Sequence, residues 1–125
     1  MKKVIATPHA PAAIGPYSQA IEANNTIYIS GQLPIDPSTG TFPAGGVKEQ
    51  TQQSFANIKA ILNEVGLSTD HIVKTTVLLA DIADFNAMNE VYNEQFEGSF
   101  PARSAFAVKD LPKGALVEIE VIAVR

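Results

Sequence analysis

VKEQTQQSFANIKAILNEVG, residues 47–66, is where the pattern of the chain changes period. Val47, Phe55, Ile58, Ile61, Leu62 and Val65 recur at helical spacing, polar residues fill the other face, and Gly66 supplies a stop. An amphipathic helix follows from this, and its apolar stripe must lie on another element. On its N-terminal side, residues 2–6, 18–23 and 26–30 predict strands, the last rich in β-branched and aromatic side chains. Asn24-Asn25 reads as the hairpin turn between the second and third, and residues 34–46 as loop. On its C-terminal side, residues 72–80 form a β-branched run apolar enough for a central strand with both faces covered. A second helix is predicted over 84–97, with Phe85, Met88, Tyr92 and Phe96 on one stripe and Gly98 after its end. Residues 102–108 and 116–124 predict the last two strands. The order β-β-β-α-β-α-β-β is α+β.

Each helix joins two strands that, if parallel in one sheet, need right-handed crossovers. Crossovers progressing the same way place both helices on one sheet face and leave the other bare. The final strand nevertheless carries Val117, Ile119 and Val121 on one side and Leu116, Ile122 and Val124 on the other. Such a surface calls for a partner, and the expectation is an oligomer whose subunits meet on their uncovered faces. At 125 residues and 46% hydrophobic content the chain suits one domain, spanning 1–125. A net charge of -4 argues against nucleic acid and anionic membranes as partners. With no cysteine, disulfides, thiolate nucleophiles and Cys-containing zinc sites are excluded. Pro8, His9 and Pro11 interrupt what would be the apolar core of a signal peptide, and no apolar run approaches the roughly 18 residues of a spanning helix. The expectation is a mature, cytoplasmic protein.

Among chemistry-bearing residues, Glu118 and Glu120 alternate with Val117, Ile119 and Val121, so both carboxylates project from the side expected to face a partner subunit. Partial desolvation there raises a carboxyl pKa and suits proton transfer, although two solvated or salt-bridged glutamates are the simpler reading. Arg103, between Ala102 and Ser104, has small neighbours that leave room for a planar carboxylate ligand. Pairing with Glu118, Glu120 or a rim acid is the alternative. His9 and His71 have no companion at metal-ligand spacing, no Gly-x-Ser-x-Gly elbow is present, and residues 28–32 lack the spacing of a phosphate loop. Gly31 instead reads as a strand end where the backbone meets something closely.

Four segments, Ala10-Pro11-Ala12-Ala13-Ile14-Gly15-Pro16-Tyr17-Ser18-Gln19, Ile29-Ser30-Gly31-Gln32, Phe100-Pro101-Ala102-Arg103-Ser104 and Val117-Glu118-Ile119-Glu120, together resemble the successive signatures of the RidA/YjgF family. The resemblance implies a chorismate-mutase-like fold of the Bacillus type: a mixed six-stranded sheet with two helices on one face, assembled as a homotrimer with clefts between subunits. It places the strand after the first helix between the last two, and so Arg103 and Glu118 two strand spacings apart, near 10 Å. It implies a 2-iminobutanoate/2-iminopropanoate deaminase, hydrolysing imino or enamino acids to keto acids and ammonia without cofactor or metal. Arg103 would hold the substrate carboxylate and Glu118 would activate water, with Tyr17, Ser30, Gly31 and Asn89 around the ligand. Ala105 stands where members typically carry cysteine, leaving backbone contacts only. A keto-acid-binding trimer without catalysis, or the endoribonuclease or translation-inhibitor activity attached to the family, are the competing functions, the latter disfavoured by charge.

Overall fold

Hairpin chemistry starts the sheet. Asn24 and Asn25 both adopt left-handed φ, 51° and 62°, the geometry whose twist matches a tight antiparallel turn and which asparagine tolerates. They join β2 (Ala20–Ala23) to β3 (Thr26–Gln32), and β1 (Lys3–Ile5) pairs outside β2. The remaining elements are α1 (Val47–Glu64), β4 (Ile72–Leu79), α2 (Phe85–Asn93), β5 (Ala102–Ala107) and β6 (Val117–Val124). This computed structural model describes residues 1–125. All six strands form one mixed sheet in the order β1-β2-β3-β6-β4-β5. β4 and β5 are parallel and every other pair is antiparallel, so β4 lies between the last two strands as the family resemblance implied. The 110–114 loop therefore does not close a hairpin.

Both helices cover one face. Phe55, Ile58, Ile61 and Leu62 of α1 and Met88 of α2 are wholly buried against Ile27, Val77, Leu79, Val117 and Ile119, each large side chain contributing about 1.5–3 kcal/mol by leaving water. Gly66, at φ 75°, lets the chain leave α1 while Leu67 N–H reaches back to Leu62 O at 2.9 Å. Polar groups on the buried side of α1 fasten the loops around it. Ser54 Oγ donates to Gln32 O at 3.0 Å, Asn57 Nδ2 to Leu33 O and Ile35 O, and Gln50 Oε1 accepts from Leu116 N at 2.8 Å. Losing one such partner would strand a buried donor or acceptor at about 1–3 kcal/mol.

Three expectations are corrected. α2 stops at Asn93 rather than 97, because Glu94 and Gln95 N–H groups turn back to Val91 O and Tyr92 O. The chain then tucks Phe96 inside edge-on to Phe55, so Phe96 continues the apolar stripe without continuing the helix. β4 is central but not covered on both faces, and Val73 is 48% exposed. β3 runs on through Gly31 to Gln32, with a bulge in its pairing to β6 between Ile29 and Gln32. No helix is long and apolar enough to cross a membrane.

Candidate functional site

Arg103 extends from β5 toward α2. Its Nη1 donates to Asn89 Oδ1 at 2.6 Å, and its guanidinium carbon lies 4.6 Å from the Tyr92 ring centroid and 5.5 Å from that of Phe85. Tyr92 is itself buried, its hydroxyl 2.7 Å from Thr75 Oγ1. A cleft of about 330 Å³ opens here, lined by Asn89, Tyr92, Asn93, Phe100, Pro101 and Arg103. The ion pairs of the chain are Lys48–Glu90 and Glu22–Arg125, so the alternative pairing of Arg103 with Glu118 or Glu120 does not form. Ala105 lies on the same side of β5, partly buried against the core. Because Val108 N–H bonds Leu79 O across to β4, the two-residue alternation of a strand turns the Ala105 N–H and C=O outward at the open sheet edge.

Glu118 occupies the other face. It is half-buried, and burial first, then the like charge of Glu120, push its carboxyl above the ordinary range. A methyl built on Gly31 would overlap Glu118 Oε2 and sit 3.0 Å from Cδ. Gly31 is thus the close approach that its sequence position suggested, made inside a strand rather than at its end. Tyr17 and Gly31 line one shallow cleft with Lys113, and Tyr17, Ser30 and Glu120 another. Ser30 Oγ donates to Ser18 O at 2.6 Å and Ser30 N–H to Gln19 O. Its hydroxyl therefore fastens the Tyr17 loop to the sheet. Gln19 anchors the preceding arm, accepting from Thr7 N and donating to Thr7, Ala10 and Pro11 carbonyls.

The structure thus brings the expected residues together as two groups, Arg103 with Asn89 and, on the same side of β5, Ala105, and Glu118 against Gly31, which is next to Ser30 and lines a cleft with Tyr17. It does not join the groups within one chain. Arg103 registers with Thr75 and Glu118 with Leu78 on the intervening β4, an odd offset of three residues that sends the two side chains to opposite faces. Two strand spacings and that offset separate their Cα atoms by about 14 Å, replacing the expected 10 Å. Sequence reading missed Phe85 and Tyr92 as neighbours of Arg103. Helical spacing groups Phe85, Asn89 and Tyr92 on one stripe, but not with the strand that carries Arg103. No group of three or more His, Asp or Glu side chains could hold a metal, and His71 Nδ1 instead accepts from Ser68 N at 3.1 Å.

A family model described as Endoribonuclease L-PSP matches residues 7–125. Over 125 residues the chain is 54% identical to a Mus musculus protein named 2-iminobutanoate/2-iminopropanoate deaminase, covering 100% of this chain and 93% of that one. A Rid-family protein from Yersinia pestis, known by crystal structure, matches with a TM-score of 0.96 and 50% identity, 100% of each chain covered. TdcF of E. coli, crystallised with bound serine, matches with a TM-score of 0.94 and 44% identity over 98% of each chain. With the match running through both residue groups, from Tyr17 to Glu118, the chain belongs to the RidA/YjgF family.

Proposed function

We propose that this protein is a 2-iminobutanoate/2-iminopropanoate deaminase, a hydrolase of C=N bonds that turns 2-imino acids and their enamine tautomers into 2-keto acids and ammonia. The observation that carries this is the Arg103 guanidinium, facing a cleft with no acidic side chain paired to it. A half-buried, unpaired guanidinium is suited to a small ligand carboxylate, with charge-assisted hydrogen bonds of about 1.5–3 kcal/mol each. The names of the full-length relatives point the same way.

Two groups on opposite faces make one site only if subunits share it. The reading is a single-domain subunit in a cytoplasmic homotrimer of the chorismate-mutase-like type, in which Arg103 of one subunit stands beside Glu118 of the next. The open sheet face supports it, carrying Tyr28 and Phe106 at 50% and 47% exposure. In the cleft the substrate carboxylate rests on Arg103, and Ala105 N–H can donate to it from the sheet edge. Glu118, with its raised pKa, takes a proton from water as oxygen bonds to the C=N carbon. The imine nitrogen receives that proton as the C=N π electrons move onto it, giving the carbinolamine. The hydroxyl proton then passes to nitrogen as the C=O bond forms and the C–N bond breaks, and ammonia and the keto acid leave. The imine is already electrophilic, so no cofactor or metal is required. A phosphodiester substrate would need a basic surface, whereas the chain has net charge -4 and the open face carries Glu118 and Glu120.

The test is ammonia release from 2-iminobutanoate generated by a coupled dehydratase, with wild type beside Arg103→Ala. Wild type should exceed the spontaneous rate and Arg103→Ala should not. Binding of 2-ketobutyrate without any acceleration would make the protein a keto-acid-binding trimer.

A further inference from the structure

A guanidinium that must receive a ligand carboxylate has to be held in place, yet a protein carboxylate holding it would occupy the fork and cancel its charge. Arg103 is held another way. Two aromatic rings of α2 lie against it, Tyr92 at 4.6 Å and Phe85 at 5.5 Å, and the single side-chain hydrogen bond it makes goes to Asn89. Ring faces attract a cation without consuming any N–H, so one of five donors is spent and the rest stay open. The Tyr92 ring is in turn held from behind the cleft. Phe55 packs near-perpendicular to it at a centroid distance of 5.6 Å, Phe96 packs tilted at 5.1 Å, and its hydroxyl bonds Thr75 Oγ1 at 2.7 Å. Thr75 is the register partner of Arg103 on β4. The strand that pairs with Arg103 therefore also sets the ring on which its guanidinium rests.

We infer that Phe85 and Tyr92, with Thr75 locking Tyr92, form an aromatic cage that positions Arg103 for a ligand carboxylate, so that carboxylate affinity depends on two residues that need not touch the ligand. The inference rests on the carboxylate-binding reading of Arg103 proposed above. Phe85 and Tyr92 are positioning residues. Their loss should raise Kd and KM while leaving kcat nearly unchanged, because the water-activating group lies elsewhere.

The experiment is calorimetry of 2-ketobutyrate binding to the full-length protein, with steady-state kinetics and thermal melting alongside. Tyr92→Leu keeps an apolar side chain and removes the ring, and should weaken binding about fivefold to thirtyfold. Tyr92→Phe keeps the ring and loses the Thr75 bond. It should restore affinity to within about threefold of wild type while melting at lower temperature, a split that a purely structural role of Tyr92 would not produce. Phe85→Leu changes a less buried wall of the cage and should weaken binding about twofold to fivefold, which keeps the test open if Tyr92→Leu does not fold. Wild-type affinity in a folded Tyr92→Leu, or in Phe85→Leu, overturns the cage. Absence of 2-ketobutyrate binding by wild type itself overturns the carboxylate reading of Arg103 and the cage with it, and is recognised by the wild-type titration alone.

Discussion

Replacing Gly31 by alanine is expected to separate stability from activity. The Gly31 backbone is not in the left-handed region, so alanine meets no conformational penalty there and the whole effect is steric. Its methyl would overlap Glu118 Oε2, lie 3.0 Å from Cδ and 3.3 Å from Cγ. The atoms in the way belong to the outer part of a flexible side chain, which can swing aside for about 0.5–1.5 kcal/mol. Unfolding in urea should accordingly show a loss of that size. The carboxylate, however, would be displaced by about 1 Å or more from its position beside β3, and a misplacement of that order costs roughly 100-fold in rate. Ammonia release from coupled 2-iminobutanoate should fall by about that factor, while 2-ketobutyrate binding, assigned by the proposal to Arg103, should be retained. Turnover within about threefold of wild type, together with the expected small stability loss, would show that the Glu118 position against Gly31 has no part in catalysis.

Glu118, as the proposed water-activating group, should also link activity and stability to pH. Burial and Glu120 raise its carboxyl pKa in the folded state, so its contribution to stability is full below the unfolded value and is lost as pH rises through the folded one. Glu118→Gln should therefore be more stable than wild type at neutral pH in urea unfolding, with the advantage gone below about pH 4. The acid limb of kcat should lie above the ordinary carboxylate range, and Glu120→Gln, which removes the like charge, should move it to lower pH. Thr75→Val leaves the buried Tyr92 hydroxyl without its partner and should cost about 1–3 kcal/mol in chemical denaturation.

Much of this arrangement was readable from the chain. The period of α1, the Asn24-Asn25 turn and the alternation through Glu118 and Glu120 are local patterns, and local patterns survive folding. The end of α2 was not, because Phe96 keeps helical spacing while its burial comes from a turn back onto Phe55. Periodicity reports which side chains are inside, not by which backbone path they get there. The relation of Arg103 to Glu118 needed the register of two strands against a third, and one residue of register reverses a side chain's face. The aromatic surroundings of Arg103 arise between α2 and β5, elements whose contact no spacing rule encodes.

A site shared between subunits, as proposed, requires that chains lacking different halves of it complement one another. Arg103→Ala and Glu118→Gln chains are each expected to be inactive alone, and every chain in a mixture carries one lesion. Co-refolded at equal amounts into random trimers, about one interface in four would pair an intact Arg103 with an intact Glu118. Ammonia release from the mixture should then recover to about a quarter of the wild-type rate per site. A mixture confirmed to contain mixed trimers, yet no more active than its two parents, would place both residues in a site within one chain and contradict the account.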